Sequence, residues 1–273
     1  LLFTFAWSFI QRLIRVSLKL NLTSIADLLA ARFGKSHQLA VLVTCVALIG
    51  TLPYLALQLK AIVYSLQSLS HNAGMPDWQI GLVLSLLLTG FTIIFGVRTI
   101  DVTERHPGVM LAIAFESLVK LLAFFAVGIF AVFFIYDSPA QLWQLSQADL
   151  ELKQQLQAPN LTSMFGLLII VMSAFLCLPR QFQVMAVELK SAKHTGLSRS
   201  LFPLYLLVFA VFAVPLGLAG ELVLGDQVSP DAYVLLLPAV KGQTWLTLLV
   251  FIGAVSAASS MVIISSIALS TML

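Results

Sequence analysis

The chain has 273 residues, of which 60% are hydrophobic and 10% are charged, with a formal net charge of +3. Together with a mean hydropathy of +1.01, this composition excludes an ordinary soluble domain, whose core would not need so much apolar surface. The lysines and arginines are concentrated in alternate loops, on one predicted side of the membrane. The positive charge therefore indicates topology, and no nucleic-acid partner is expected.

Apolar runs separated by polar segments predict a multi-pass, all-α membrane protein whose surroundings are the lipid bilayer. Most runs reach the roughly 20 residues that an α-helix needs to cross the hydrocarbon layer. They lie at about 1–18, 39–69, 79–97, 107–136, 163–178, 200–223 and 243–273. We expect a single transmembrane domain over residues 1–273, truncated at both ends, because the chain begins without Met and stops inside an apolar run.

Basic residues are concentrated in alternate connections, and cytoplasmic loops are the ones that retain lysine and arginine. The residues of this group are Arg12, Arg15, Lys19, Arg32, Lys35, Arg98, Arg105, Arg180, Lys190, Lys193 and Arg199. The other connections hold only Lys153 and Lys241. The sequence therefore predicts that the first group lies on the cytoplasmic side.

Short polar segments mark the ends of several helices. Ser24, with Asp27 three residues later, predicts the start of a short helix after the first run, and Gly34 predicts its end. Pro107 suits the first turn of the fourth helix. Spaced apolar residues in the long connection 137–162 predict an amphipathic external helix, and 231–240 predicts a brief one before the last run.

The segment after the fifth run begins with Leu178, Pro179 and Arg180. Alternating apolar and polar residues up to Lys190 predict a helix along the inner surface. In this interpretation Pro179 stops the preceding helix and Arg180 anchors the chain at the membrane surface, which we favour over a substrate clamp. Lys60, near the outer end of the second run, is expected to extend towards the interface.

Glu116 and Lys120 are the first candidates for function, because charged side chains are costly in hydrocarbon and these two lie one helical turn apart in the fourth run. They are expected to face the same way. They could form an ion or proton relay or a gate, or a structural ion pair that only keeps both charges satisfied. The sequence leaves both readings open.

Tyr54 and Gln58 are also one turn apart, just past Pro53 in the second run. Their hydroxyl and amide could contact a polar solute. Hydrogen bonding between helices is the alternative, since such residues often join neighbouring helices inside membrane bundles.

The last run is rich in hydroxyl residues, and Ser256 and Ser260 are expected to share a face. Hydroxyls together with a freed backbone carbonyl suit a hard cation such as sodium, whereas serine also packs helices closely and bonds its own helix. No nucleophile constellation, phosphate-binding loop or metal cluster appears. We therefore expect no enzymatic activity and no cofactor, apart from sodium or a proton as coupling ion.

Four segments resemble the sodium/solute symporter family: TSIADLLAARFGKS from Thr23, LPYLALQLK from Leu52, CLPRQFQVMAVE from Cys177 and SAASSMVIISSIALSTML from Ser256. The similarity spans nearly the whole chain. It is closer to the transporter-like membrane domains of bacterial sensor histidine kinases than to proline permease or sugar symporters. The resemblance implies a LeuT-type inverted-repeat bundle of ten core helices, of which this chain would cover about helices two to eight.

The resemblance also implies a sodium site on the eighth core helix, built from a backbone carbonyl and two adjacent hydroxyl residues three and four positions later. Matching that pattern places the carbonyl at Gly253 and the first hydroxyl at Ser256. The second position is Ala257, a departure that removes one oxygen ligand and puts sodium dependence in doubt. The first core helix, which lines both sites in the family, would precede this chain.

The leading functional hypothesis is secondary active transport of a small polar organic solute, an amino acid, across the bacterial inner membrane by alternating access. A cation would be cotransported. The alternative is a sensory module in which solute binding to the same fold controls a downstream kinase domain, with little or no transport. The sequence beyond Leu273 distinguishes the two, because a histidine-kinase core there would favour the sensor.

The predicted orientation can be tested by cysteine labelling at Lys35, Arg105 and Lys193 in a variant whose native Cys45 and Cys177 are replaced by serine. We expect none of the three sites to react with a membrane-impermeant reagent added to intact cells, and all three to react after permeabilisation. Labelling of any of them from outside would contradict the orientation.

Overall fold

The structure is a computed structural model in which all regular structure of the described residues is helical. It describes residues 3, 6–69, 76–96, 107–149, 152–153, 156, 160–189, 191, 195–225 and 228–273. The helices are α1 (Trp7–Leu20), α2 (Ile25–Arg32), α3 (His37–Leu69), α4 (Asp77–Gly96), α5 (Pro107–Phe130), α6 (Pro139–Ala148), α7 (Leu161–Cys177), α8 (Pro179–Phe182), α9 (Thr195–Leu224), α10 (Tyr233–Val240) and α11 (Thr244–Ser270). Single π-helical turns extend α5 (Ala131–Ile135) and α8 (Gln183–Val187), and a 3-10 turn (Pro230–Ala232) precedes α10.

Five of these helices, α3, α4, α5, α9 and α11, are long and apolar enough to cross a membrane. They confirm five of the predicted runs, and the protein is a multi-pass membrane protein. The fifth run forms α7, which joins α8 and its π turn through a bend of 59°, and the two together would make a sixth, broken span. Large apolar side chains such as Leu42, Val46 and Ile49 are exposed along α3, as expected of a face in contact with lipid.

The first run is described only in part. Its described part is α1, a helix of 14 residues, which rises about 21 Å and is shorter than the hydrocarbon layer. Trp7, Ile10 and Ile14 are buried on one side, and Arg12 and Arg15 are exposed on the other. A spanning first run therefore stays a prediction.

The predicted helix ends are confirmed where the structure describes them. Ser24 accepts a hydrogen bond from the backbone N–H of Asp27 at 3.1 Å, and α2 ends just before Gly34, whose φ is +71°. Helix α5 begins at Pro107, and the long connection contains α6. The predicted topology markers Arg98, Arg105, Lys190 and Lys193 lie outside the described residues.

The predicted helix after Pro179 is present as α8 and its π-helical turn, and its position along the inner membrane surface stays a prediction. Phe182 and Gln183 are only 1% and 2% exposed, and the segment is covered by other parts of the protein. Ala186 packs in a buried cluster with Ile25 of α2, and its carbonyl accepts a hydrogen bond from Ser17 of α1 at 3.5 Å. Helices α1 and α2 pack over this segment. The alternation of apolar and polar residues within 179–190 could not reveal that contact.

Helix α11 is the centre of the bundle and contacts α3, α4, α5, α8 and α10. Small residues allow this close approach. A Cβ atom at Gly253 would lie 3.1 Å from the Cβ of Ala123 and 3.8 Å from the Cα of Lys120 on α5. The backbone of α11 therefore runs directly beside the charged face of α5.

A second close approach holds the other end of the bundle together. A Cβ atom at Gly220 of α9 would lie 2.2 Å from Cδ2 and 2.6 Å from Cβ of Tyr233, where α10 begins. The tyrosine hydroxyl donates a hydrogen bond to the carboxylate of Glu221. Since the Cβ of Tyr233 cannot rotate away, a larger residue at position 220 must push the two helices apart.

We expect Gly220→Ala to destabilise the folded protein by about 1–3 kcal/mol, the usual cost of overpacking. The control is Gly166→Ala in α7, where an added Cβ meets no atom within 4 Å and the gain in helix propensity should leave stability unchanged or slightly raised. Thermal unfolding in detergent compares the two. Equal Tm values would contradict the close packing of α9 on Tyr233.

Candidate functional site

A cavity of about 940 Å³ lies among α3, α5, α8, α9 and α11. Its size falls within the range of small-molecule sites. The charged side chains in its wall are Lys60, Lys120, Arg180 and Asp231, and its hydroxyl groups come from Tyr64, Ser65, Ser117, Tyr205, Ser229 and Ser260. Aromatic rings and aliphatic side chains cover the rest, so the cavity combines apolar walls with a few polar groups.

Lys120 reaches across to the last helix. Its Nζ donates a hydrogen bond to Oγ of Ser260 at 3.0 Å, and the Ser260 hydroxyl donates to the carbonyl of Ala257 at 3.1 Å. The contact ties α5 to α11 at the wall of the cavity. An ammonium group is thus held at a fixed place beside the hydroxyl-rich part of α11.

Glu116 lies one turn before Lys120 and also interacts with Ser260 and electrostatically with Lys120. Its Oε2 atom is buried and has no hydrogen-bond partner. The Ser260 hydroxyl has only one proton, for which the carbonyl of Ala257 and the Glu116 carboxylate compete. The two charges predicted to face the same way therefore meet at one serine of the neighbouring helix, and the carboxylate is left incompletely satisfied.

Tyr54 faces Arg180. The guanidinium lies over the tyrosine ring, with Cζ 4.2 Å from the ring centroid, and Nη1 donates a hydrogen bond to the tyrosine hydroxyl. The hydroxyl in turn contacts Sδ of Met261 at 2.5 Å. Neither Tyr54 nor Gln58 is part of the cavity wall. Tyr54 is connected to the cavity through Arg180, Gln58 is half-buried, and contact of either side chain with a solute stays a prediction.

Arg180 is the residue that sequence reasoning placed wrongly. It lines the cavity instead of anchoring the chain at a membrane surface, and its Nε is buried without a hydrogen-bond partner. The break at Leu178, whose ψ is 124°, turns the chain so that the first turn of α8 meets the bundle interior. The sequence signal that could have indicated this position is an arginine directly after Leu178 and Pro179, at the end of a long apolar run.

Lys60 is exposed and borders the same cavity, and its extension towards the membrane interface stays a prediction. In the expected sodium site, Gly253 is buried and lines the cavity, whereas Ser256 does not line it. The backbone oxygen of Ser256 accepts a hydrogen bond from the hydroxyl of Ser259 at 3.1 Å. Ala257, where the family pattern has a second hydroxyl, does face the cavity.

No protein-family model, no curated protein and no solved structure matches this chain. The described residues contain no group of three or more His, Cys, Asp or Glu side chains that could hold a metal ion.

We expect Lys120→Met alone to lower the Tm more than the double change Glu116→Gln with Lys120→Met. Removing only the ammonium leaves a half-buried carboxylate without its nearby positive charge, whereas the double variant leaves no charge to satisfy. A difference of about 3 °C or more, roughly 1 kcal/mol for a chain of this length, should appear in thermal unfolding in detergent. Equal Tm values and equal expression would mean that the two groups do not act as partners.

Proposed function

We propose that this chain forms the membrane domain of a secondary carrier of the sodium/solute symporter type, with a LeuT-type inverted-repeat bundle in the bacterial inner membrane. It would bind a small polar organic solute, an amino acid, in the cavity and pass it across the membrane by alternating access. The motifs quoted from the sequence support the family, and the cavity supports a binding site for a solute of this size.

The observation that carries the proposal is the broken span formed by α7 and α8. Pro179 supplies no N–H, so the carbonyl of Phe175 loses the donor that a continuous helix would provide. Irregular backbone at membrane depth is tolerated where it is buried in protein or lines a water-filled cavity. Secondary transporters use such interrupted helices to build their substrate sites, and here the break delivers Arg180 to the cavity wall.

The packing of α11 supports a moving part within the bundle. It contacts α5 through small residues and through the Lys120 to Ser260 hydrogen bond, both of which lie in the wall of the cavity. Alternating access is largely rocking of one helical group against another around the site. In this proposal α11 belongs to one helical group and α5 to the other. The hydrogen bond between Lys120 and Ser260 would break and form again during the transport cycle.

For the coupling ion we propose a weak sodium site or coupling to a proton. Sodium prefers several oxygen ligands, and the matching stretch offers the Gly253 carbonyl and the Ser256 hydroxyl, with Ala257 in the third place. The ammonium of Lys120 lies on the same part of α11, beside Ser260. A resident positive charge there opposes the binding of a second cation.

A solute sensor is the second candidate, favoured by Ala257 and by the resemblance to membrane domains fused to histidine kinases. In that case the cavity binds the solute, a downstream kinase domain is the partner, and transport is slight. Uptake by the full-length protein in proteoliposomes separates the two functions. Binding without accumulation of any solute would favour the sensor.

We expect Ala257→Ser to strengthen the sodium dependence of uptake or binding and Ser256→Ala to weaken any dependence already present. One added oxygen ligand should lower the half-saturating sodium concentration roughly fivefold, equivalent to about 1 kcal/mol. Uptake is measured with labelled amino acids, sugars and carboxylates, with and without sodium.

The matched control is Ala61→Ser, which adds a hydroxyl to the cavity wall on α3 and not on α11, where the expected site lies. It should leave sodium dependence unchanged. Tight, saturable sodium dependence in the wild type that neither Ala257→Ser nor Ser256→Ala alters would place the ion elsewhere and contradict this assignment.

A further inference from the structure

We propose that Arg180 is the receptor for a carboxylate group of the solute, so that the substrates are organic carboxylates and not sugars or other neutral compounds. The inference depends on the proposed solute-binding function and specifies its substrate class. It starts from a buried donor that the described protein leaves unpaired.

The guanidinium of Arg180 is only partly used by the protein. Nη1 donates to the hydroxyl of Tyr54, whereas Nε is buried and has no hydrogen-bond partner. A buried N–H without an acceptor is costly, and more so on a charged group. Arginine binds carboxylates by two parallel hydrogen bonds from its planar fork, and among the described residues no acceptor meets Nε on one edge of that fork.

Among the residues that the structure describes, the charge of Arg180 also lacks a counterion. No carboxylate among the residues that the structure describes forms an ion pair with it. Asp231 lines the same cavity but is exposed. With Lys60, Lys120 and Arg180 against Asp231 in the wall and Glu116 beside Lys120, these charged side chains sum to +1, and a cleft with an excess of one sign attracts ligands of the other.

The surroundings of Arg180 hold its guanidinium in one orientation. The ring of Tyr54 on α3 supports its face at 4.2 Å, a contact that is stronger in a desolvated site. The Tyr54 hydroxyl is itself fixed by Met261 of α11. Residues of three helices thus preorganise a planar donor before a ligand arrives, which reduces the entropy lost on binding.

A purely structural role would need an acceptor from the protein on the free edge, and the described residues provide none. A free inorganic anion could satisfy the charge, so the test must separate it from an organic carboxylate. It must also work without a variant, because loss of Arg180 could disturb the break between α7 and α8.

The first experiment uses the wild-type, full-length protein in detergent and in proteoliposomes. Thermal stabilisation and uptake are measured with the common L-amino acids, acetate, lactate and succinate, each compared with its amide, and with glucose, inositol, chloride and phosphate. We expect at least one carboxylate to bind, and its amide to bind roughly 10- to 100-fold more weakly, because a charge-assisted pair is lost.

The second experiment repeats the comparison in Arg180→Gln, Arg180→Lys and a control, Arg12→Gln, which removes an exposed arginine of α1. Arg180→Gln should reduce affinity for the carboxylate to that for the amide. Arg180→Lys should restore part of the preference, since it keeps the charge without the fork. The control should bind as the wild type does.

The results separate this inference from the proposed function. Equal binding of acid and amide by the wild type, uptake of glucose or inositol only, stabilisation by inorganic anions only, or an unchanged preference in a folded Arg180→Gln variant would each overturn the role of Arg180. Of these, uptake of a neutral solute would leave the carrier function standing. Failure of every organic solute to bind or to be taken up would overturn both proposals.

Discussion

The need to satisfy every backbone donor and acceptor away from water is the constraint on which this structure depends. Unbroken helices meet it within one segment, which is why α3, α4, α5, α9 and α11 tolerate exposed apolar faces along their length. The exception is the 59° bend between α7 and α8. There the continuous series of helical backbone hydrogen bonds is interrupted, and α1, α2 and α11 cover the irregular segment.

That cover explains why the polar groups of the cavity come together where they do. Because α8 starts at the bend, Arg180 projects into the bundle, where its guanidinium donates a hydrogen bond to Tyr54. Tyr54 in turn contacts Met261. Elsewhere in the cavity wall Lys120 is held by Ser260. Arg180 is held by the neutral Tyr54, whereas Lys120 also has the carboxylate of Glu116 nearby. The charge of Arg180 is therefore less compensated by the protein than that of Lys120.

Close packing and charge placement depend on each other in this bundle. Gly253 lets α11 approach α5 closely enough for Ser260 to lie within reach of both Lys120 and Glu116. A larger residue at 253 would separate the helices and break that shared contact. The same logic applies at Gly220, where the absence of a side chain admits the ring of Tyr233.

The sequence by itself determined the elements: the membrane environment, five spanning helices, the start of α2 at Ser24 and the break at Pro179, all of which follow from local composition and backbone chemistry. It also indicated Glu116, Lys120 and Tyr54, because polar groups in apolar runs are costly and need partners. It could not say which partners they have. That α11 supplies Ser260, that α1 and α2 bury the segment after Pro179, and that Arg180 enters the cavity were decided only by tertiary structure, because these contacts join residues more than 100 positions apart and depend on how the helices rotate and cross.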